Sequence, residues 1–215
     1  MLADSSILLG IFRGGSGQRM GGRDKAALPA PDGRGTLLSR LLWVADGAGC
    51  SERVLVGARH SSHDRSPDCG GGESVPDPAG LDTLLDRPPG IGPIGGLCAL
   101  LEAAGPRPAL ALACDLPFLQ PQLLTRLARE QPGATVLCPR DPQSGKWEPL
   151  FARYDSARVL PILRGCIPAG VRSLQTLLRE LPVTELVLEP GERAQLRDWD
   201  RPEDLIAKLA TDTNP

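Results

Sequence analysis

The sequence predicts an α/β protein: a mostly parallel sheet with helices on both faces, built as one domain over residues 1–215. Short apolar runs such as Ile7–Ile11, Ala109–Cys114 and Thr135–Cys138 recur along the chain and read as buried strands. Segments with apolar residues at helical spacing lie between most of them. Glycine- and proline-rich stretches punctuate the changeovers, as tight loops between packed elements require.

Taken in order, Ile7–Ile11 is the first strand and Thr36–Ala48 the first helix, stopped by Gly47 and Gly49. Arg53–Gly57 is a short β-branched strand. Residues 58–80 hold His60, His63, Pro67 and a Gly70–Gly72 triplet, and read as a variable loop. A small-residue helix over Gly95–Ala104 ends at Gly105-Pro106, and Ala109–Cys114 follows as a strand. Pro121–Glu130 reads as a helix, Thr135–Cys138 and Glu148–Ala152 as strands, and Ala157–Leu163 and Ser173–Leu181 as helices. Val183–Leu188 closes the sheet, Pro202–Leu209 is a terminal helix, and residues 210–215 form a frayed tail.

Composition narrows the function. A chain of 215 residues with 41% apolar and 23% charged residues can bury a sizeable core in one α/β domain. A net charge of −2 excludes a general nucleic-acid or anionic-membrane binder, and 3% aromatics leave no base-stacking platform. No basic leader and no transmembrane-length apolar run occurs, so a soluble cytoplasmic protein is expected. The six cysteines are scattered singly, which fits buried reduced thiols rather than a disulfide frame or a zinc site. His60 and His63 lack convincing ligand spacing and read as surface histidines.

The chemistry begins where the first strand ends, in F-R-G-G-S-G-Q-R-M-G-G-R-D-K from Phe12 to Lys25. Gly14, Gly15, Gly17, Gly21 and Gly22 can turn their amides toward a single anion. Arg19 adds a planar fork of donors and Lys25 a mobile point charge, which suits a polyphosphate. Lys25 is not followed by Ser or Thr, so this is not a Walker A loop, and the loop itself holds no G-x-G-x-x-G. Asp115 terminates an all-apolar strand, where a carboxylate can hold Mg2+ with waters and substrate phosphates or equally serve as a turn residue. Asp86–Gly96 (D-R-P-P-G-I-G-P-I-G-G) is either a proline-glycine turn or a place where backbone approaches a ligand at a helix N-terminus.

Gly14-Gly15 and Arg19-Met20-Gly21 stand in register with the signature L-A-G-G-x-S-x-R-M-G-x-D-K, and Asp24-Lys25 follows one residue later than its D-K, so the chain resembles the molybdenum-cofactor guanylyltransferases of the nucleotidyltransferase superfamily. Two positions depart: Arg13 stands where the family carries Ala, and Gly17 where it often carries Ser. A long cation at position 13 would either crowd the nucleotide or add a phosphate contact. C-D-L-P-F at Cys114–Phe118 is similar to the family's second hallmark, and Asp86 with G-P-I-G-G at Gly92–Gly96 to its D…G-P-L-x-G segment. Asp198–Leu205 resembles N-x-N-T-P-E-D-L with both Asn positions replaced by Asp. Lys146–Leu150 resembles the segment that faces the acceptor, and Arg172-Ser173-Leu174 fits a stretch before a helix. These matches run in order from about residue 7 to 206.

The resemblance implies a Rossmann-like fold of the nucleotide-diphospho-sugar transferase type. It also implies transfer of GMP from GTP to the terminal phosphate of molybdenum-molybdopterin, with release of pyrophosphate. Arg19, Lys25 and Asp115 would be catalytic. Gly14, Gly15, Ser16, Gly17, Arg19, Met20, Gly21, Lys25, Asp86, Gly92, Pro93, Gly95 and Asp115 would hold the nucleotide, and Asp115 and Asp200 would hold Mg2+. A carboxylate at Asp86, or at Asp82 in its place, can accept from both N1–H and the 2-amino group of guanine. Delivery proteins are possible partners for the acceptor; nucleic acid and membrane are not. Two other readings stay open: the same fold using CTP or another phosphorylated acceptor, and a non-catalytic nucleotide-binding partner in cofactor delivery.

Overall fold

A computed structural model describes residues 7–13, 25–33, 35–57 and 80–197, with only the backbone of Lys25. Seven strands form one sheet in the order β3-β2-β1-β4-β6-β5-β7. They are β1 (Leu8–Phe12), β2 (Glu52–Val56), β3 (Thr83–Leu84), β4 (Pro108–Ala113), β5 (Val136–Cys138), β6 (Phe151–Asp155) and β7 (Val183–Glu185). β1 pairs in parallel with β2 and β4, and β2 with β3. β6 alone runs against its neighbours β4 and β5, and β5 pairs in parallel with β7. The sheet is therefore mostly parallel, with one reversed strand. The reversal follows from the link: no helix separates β5 from β6, and a parallel return requires a crossover.

Every residue of β1 is buried, because helices cover both faces. Leu8 and Phe12 point toward α2 (Pro93–Ala104), α4 (Ser156–Cys166) and α5 (Leu174–Arg179), packing in a cluster with Leu97, Leu101, Val159, Leu163 and Leu177. Leu9 and Ile11 point the other way, toward α1 (Leu37–Gly47) and α3 (Pro121–Arg129), joining Leu41, Val44, Leu123 and Leu127. The period of two in one strand thus assigns the two cores. Gly10 lies on the α2 side, where an added Cβ would sit 2.7 Å from both methyls of Leu100. Glycine there lets α2 press against the strand backbone.

Helix ends are chemically specified. Thr36 and Ser39 form a reciprocal cap on α1, with Ser39 N–H donating to Thr36 Oγ1 at 3.2 Å and Thr36 N–H to Ser39 Oγ at 2.8 Å. Asp155 caps α4 by accepting from Arg158 N–H at 3.1 Å. The end of α3 is closed from the sheet on which it packs. Buried Arg153 of β6 donates to the carbonyls of Leu127 (3.1 Å), Ala128 (2.8 Å) and Gln131.

Three differences from the sequence reading emerge, the first two with physical causes. The strand expected over Glu148–Ala152 begins at Phe151, because Phe151 N–H closes a turn onto Glu148 O (2.9 Å) and Pro149 has no N–H for a ladder. β3 has two residues and α6 (Glu192–Gln195) four, too short for periodicity to show. β7 stops at Glu185 rather than Leu188. The expected terminal helix, residues 58–79 of the expected loop with both histidines, and the tail lie outside the described residues. Among the described residues, Cys50, Cys98, Cys114 and Cys138 are buried free thiols and Cys166 is a partly exposed one. No described helix is long and apolar enough to cross a membrane.

Candidate active site

The carboxyl ends of β1, β2, β3 and β4 fall level with one another, Phe12 opposite both Val56 and Ala113, and Val56 opposite Leu84. The ladder continues one residue further: Arg13 N–H donates to Val56 O (3.0 Å), Gly57 N–H to Leu84 O (2.9 Å) and Cys114 N–H to Phe12 O (3.0 Å). The glycine-rich loop therefore leaves the sheet at Arg13, at the centre of this edge. Its residues Gly14, Gly15, Ser16, Gly17, Arg19, Met20 and Gly21 lie outside the described residues, as does Asp200. The described chain resumes at Lys25, in a single 3-10 turn over Lys25–Ala27 whose Ala26 is buried in the α1 core.

Asp86 and Asp115 flank that exit. Asp86 follows the end of β3 by two residues and Asp115 follows β4 by two. The two acids therefore stand on opposite sides of β1, three strand spacings apart, about 14 Å. Asp82 is exposed and lies on the amino side of β3, where its carbonyl accepts from Leu55 N–H at 2.8 Å. Of the two alternatives, only Asp86 reaches the carboxyl edge.

Glycine makes the room that Asp86 occupies. An added Cβ at Gly96 would lie 3.2 Å from Asp86 Oδ1, 3.0 Å from Phe12 Cε1 and 2.9 Å from Val56 Cγ1. One at Gly95 would lie 2.6 Å from Pro88 O and 3.1 Å from Asp86 Cβ. Any side chain at either position would displace the 86–88 segment. Arg87 N–H donates to Gly95 O at 3.0 Å and fixes that segment on α2. Gly92, with φ of 72°, and Pro93 open α2 at the same edge, so its N-terminal amides face the crevice. Desolvation pushes the Asp86 carboxyl above its ordinary range.

On the other half of the edge, β6 brings Lys146–Leu150 beside Asp115. Ala113 N–H donates to Leu150 O at 2.7 Å and Glu148 N–H to Pro139 O at 3.0 Å. Gln175 clamps the Trp147 backbone, accepting from its N–H (3.2 Å) and donating to its carbonyl (2.6 Å). The Arg140 guanidinium stands 5.4 Å from the Trp147 ring centroid, and Arg193 pairs with Glu148 at 3.1 Å. Arg172 is exposed and turns back onto the carbonyls of Ile167 and Val171, both at 2.9 Å.

Sequence reading passed over Arg40, in the first turns of α1. Its Nε donates to Pro117 O and its Nη2 to Leu119 O at 3.3 Å, just beyond Asp115. The one available signal was position. A cation near a helix N-terminus opposes the macrodipole, so it usually has a reason to be there. Arg153 was also missed, because a buried arginine interrupts the apolar pattern that marks a strand.

Fold and edge together define the class: an open α/β sheet whose ligand crevice lies beyond the carboxyl ends of its strands. The chain belongs to the MobA-like NTP transferase family, whose model matches residues 10–185. It is 32% identical over 204 residues to the molybdenum cofactor guanylyltransferase of Pseudomonas entomophila strain L48, covering 91% of this chain and 94% of that one. Identity to the probable molybdenum cofactor guanylyltransferase of Mycobacterium avium strain 104 is 31% over 194 residues, 87% and 88% of the two chains. The fold is shared with molybdopterin-guanine dinucleotide biosynthesis protein A of Archaeoglobus fulgidus (TM-score 0.67, 22% identity, 96% of this chain and 100% of that one). It is shared too with a Mycobacterium tuberculosis H37Rv protein solved in complex with manganese (TM-score 0.60, 19% identity, 96% and 99%).

Proposed function

We propose that this chain, acting as a single nucleotidyltransferase unit, moves GMP from GTP to the terminal phosphate of molybdenum-bearing molybdopterin. The observation that carries the reading is the placement of Asp86 and Asp115 on either side of the glycine-rich exit, on one edge of the sheet. The guanine lies toward Asp86, whose carboxylate accepts from N1–H and the 2-amino group. The triphosphate crosses β1, held by the amides of Gly14, Gly15, Ser16, Gly17 and Gly21 and by Arg19 and Lys25. The acceptor enters on the β6 side, past Lys146–Leu150. An oxygen of its terminal phosphate forms the new bond to the α-phosphorus, the bond from that phosphorus to the β-bridging oxygen breaks, and pyrophosphate leaves with the electron pair. Arg19 and Lys25 neutralise charge that grows on the departing oxygens.

A divalent metal suits the same edge. Among the described residues no group of three or more His, Cys, Asp or Glu side chains could cage an ion. One or two carboxylates are the protein donors Mg2+ accepts when substrate phosphates and waters complete its shell. Asp115, with Asp200, is the holder in this reading, and Mg2+ would supply Lewis-acid stabilisation of phosphate oxygens there. The reading places the reaction in the cytoplasm, with delivery proteins able to bring the acceptor.

Pyrophosphate release, measured with each of the four nucleoside triphosphates in the presence of Mg2+ and molybdopterin acceptor, tests the proposal. Release with GTP alone is the expected result. Equal release with CTP would sink the guanine assignment, and none with any nucleotide would leave a non-catalytic nucleotide-binding protein.

A further inference from the structure

Asp115 sits in a turn, Cys114–Leu119, that has little secondary structure to hold it. The turn is anchored at its start by Cys114 N–H on Phe12 O (3.0 Å), and Leu119 N–H reaches Leu116 O at 3.4 Å. Between and after these points the carbonyls of Pro117 and Leu119 are both taken by the side chain of Arg40, from 77 and 79 residues earlier in the chain. The third arm of the same guanidinium, Nη1, reaches Asp32 Oδ2 at 3.3 Å. Asp32 belongs to the tight turn that follows the 3-10 turn at Lys25, where Gly33 N–H donates to Ala30 O at 3.0 Å. The Arg40 side chain is 13% exposed, and its guanidinium lies 6.0 Å from the ring centroid of Trp43 on the same helix.

We infer that Arg40 is a positioning residue: its guanidinium holds the Asp115 turn in register with the segment leaving the phosphate loop, so that the metal-holding carboxylate and the phosphate cradle keep one geometry. This rests on the proposed nucleotidyl transfer. Arginine is required by shape, since only a planar fork can donate to two carbonyls and a carboxylate in three directions. A lysine has one nitrogen for all three. The residues that orient a metal ligand through its surroundings set metal affinity nearly as strongly as the ligand itself. The proposed nucleotide contacts lie in residues 14–25 and at Asp86, whereas Arg40 bonds to Pro117, Leu119 and Asp32, so its loss falls on metal use and spares nucleotide binding without metal.

The test uses the full-length chain with Arg40→Met and Arg40→Lys, and Mn2+ as the probe. Mn2+ binding in the presence of GTP is followed by electron paramagnetic resonance, GTP binding without metal by calorimetry, and pyrophosphate release across a Mg2+ series. For Arg40→Met the half-saturating Mn2+ concentration rises by about tenfold, the Mg2+ dependence of turnover shifts with it, and metal-free GTP affinity is unchanged. Arg40→Lys keeps the apolar stem and charge and gives a smaller shift in the same direction; if the Met variant does not fold, the Lys variant decides. An unchanged Mn2+ curve in an active, folded variant, even with a lowered melting temperature, reduces Arg40 to a structural staple and overturns the inference while leaving the transfer reaction standing. Absence of turnover in the wild type with any nucleotide removes the reaction itself, and this inference with it.

Discussion

Replacing Asp86 by Asn separates recognition from folding. The substitution keeps the volume of the side chain, so the contacts with Gly95 and Gly96, 3.1–3.2 Å from the added-Cβ positions, persist. It removes the charge that half-burial disfavours. A folded-state pKa above the unfolded value means that the folded chain binds this proton more tightly. The stability from that proton is complete below the ordinary aspartate range and is lost as pH rises through the raised value. At neutral pH the Asn variant is therefore at least as stable as the wild type, and any functional loss is not unfolding. Recognition moves the other way. A carboxylate offers acceptors to both guanine N–H groups, whereas the amide turns one donor toward them. Leaving such a group mispaired costs about 1–3 kcal/mol, a factor of roughly 5 to 150 in the GTP-over-ATP ratio. Calorimetric titration of GTP and ATP into both proteins, with parallel thermal melts, reads both effects. In the wild type the ratio also falls on acidification toward the raised pKa, because guanine must then displace a proton; in the variant it is flat with pH. An Asn variant that keeps the wild-type ratio would refute the role of Asp86 and pass it to the backbone of Gly92–Gly96.

Asp115→Asn preserves shape and removes the metal-holding charge, so pyrophosphate release falls by on the order of a hundredfold or more while metal-free GTP affinity barely moves; full activity at low Mg2+ excludes the residue. Lys25→Ala and Arg19→Ala depress turnover with stability changed by less than about 0.5 kcal/mol, since each truncates a loop cation. Wild-type turnover at saturating nucleotide in either variant refutes the clamp. Arg153→Met strips a donor from three carbonyls at the end of α3 and destabilises by about 2–4 kcal/mol in urea unfolding, with activity per folded molecule retained. A midpoint within error of wild type would show that those carbonyls find other partners.

What was legible in the chain was what depends on neighbours in sequence. β1 and β4 are runs of apolar residues, and α1 carries its own cap and periodicity, so their types could be read directly. Asp115 was legible as an acid placed after a strand, and Asp86 through the segment that resembles D…G-P-L-x-G. β3 was not, because two residues make no pattern and its pairing partner lies in β2. The true start of β6 was hidden by Pro149 and by Arg153, whose burial is settled by carbonyls on a distant helix. Arg40 was illegible for the same reason: nothing near position 40 announces carbonyls at 117 and 119. The choice between Asp82 and Asp86 also needed the sheet, since only the pairing of β3 shows which end of that strand faces the crevice.

The reversal of β6 has an evolutionary consequence. Because β5 runs out to the carboxyl edge and β6 runs back from it, the connection Pro139–Leu150 begins and ends at the same lip. Its two stems are pinned together by Glu148 N–H on Pro139 O (3.0 Å). A loop with tethered ends can be lengthened, shortened or exchanged for little more than a change in closure entropy, which grows slowly with length. The four parallel strands that carry Asp86, the glycine-rich exit and Asp115 share no backbone with it. In the proposed reaction half of the crevice is thus a fixed platform and half a replaceable cassette, so that a lineage would adopt a new acceptor by rewriting residues 139–150 while its nucleotide chemistry stayed as it was.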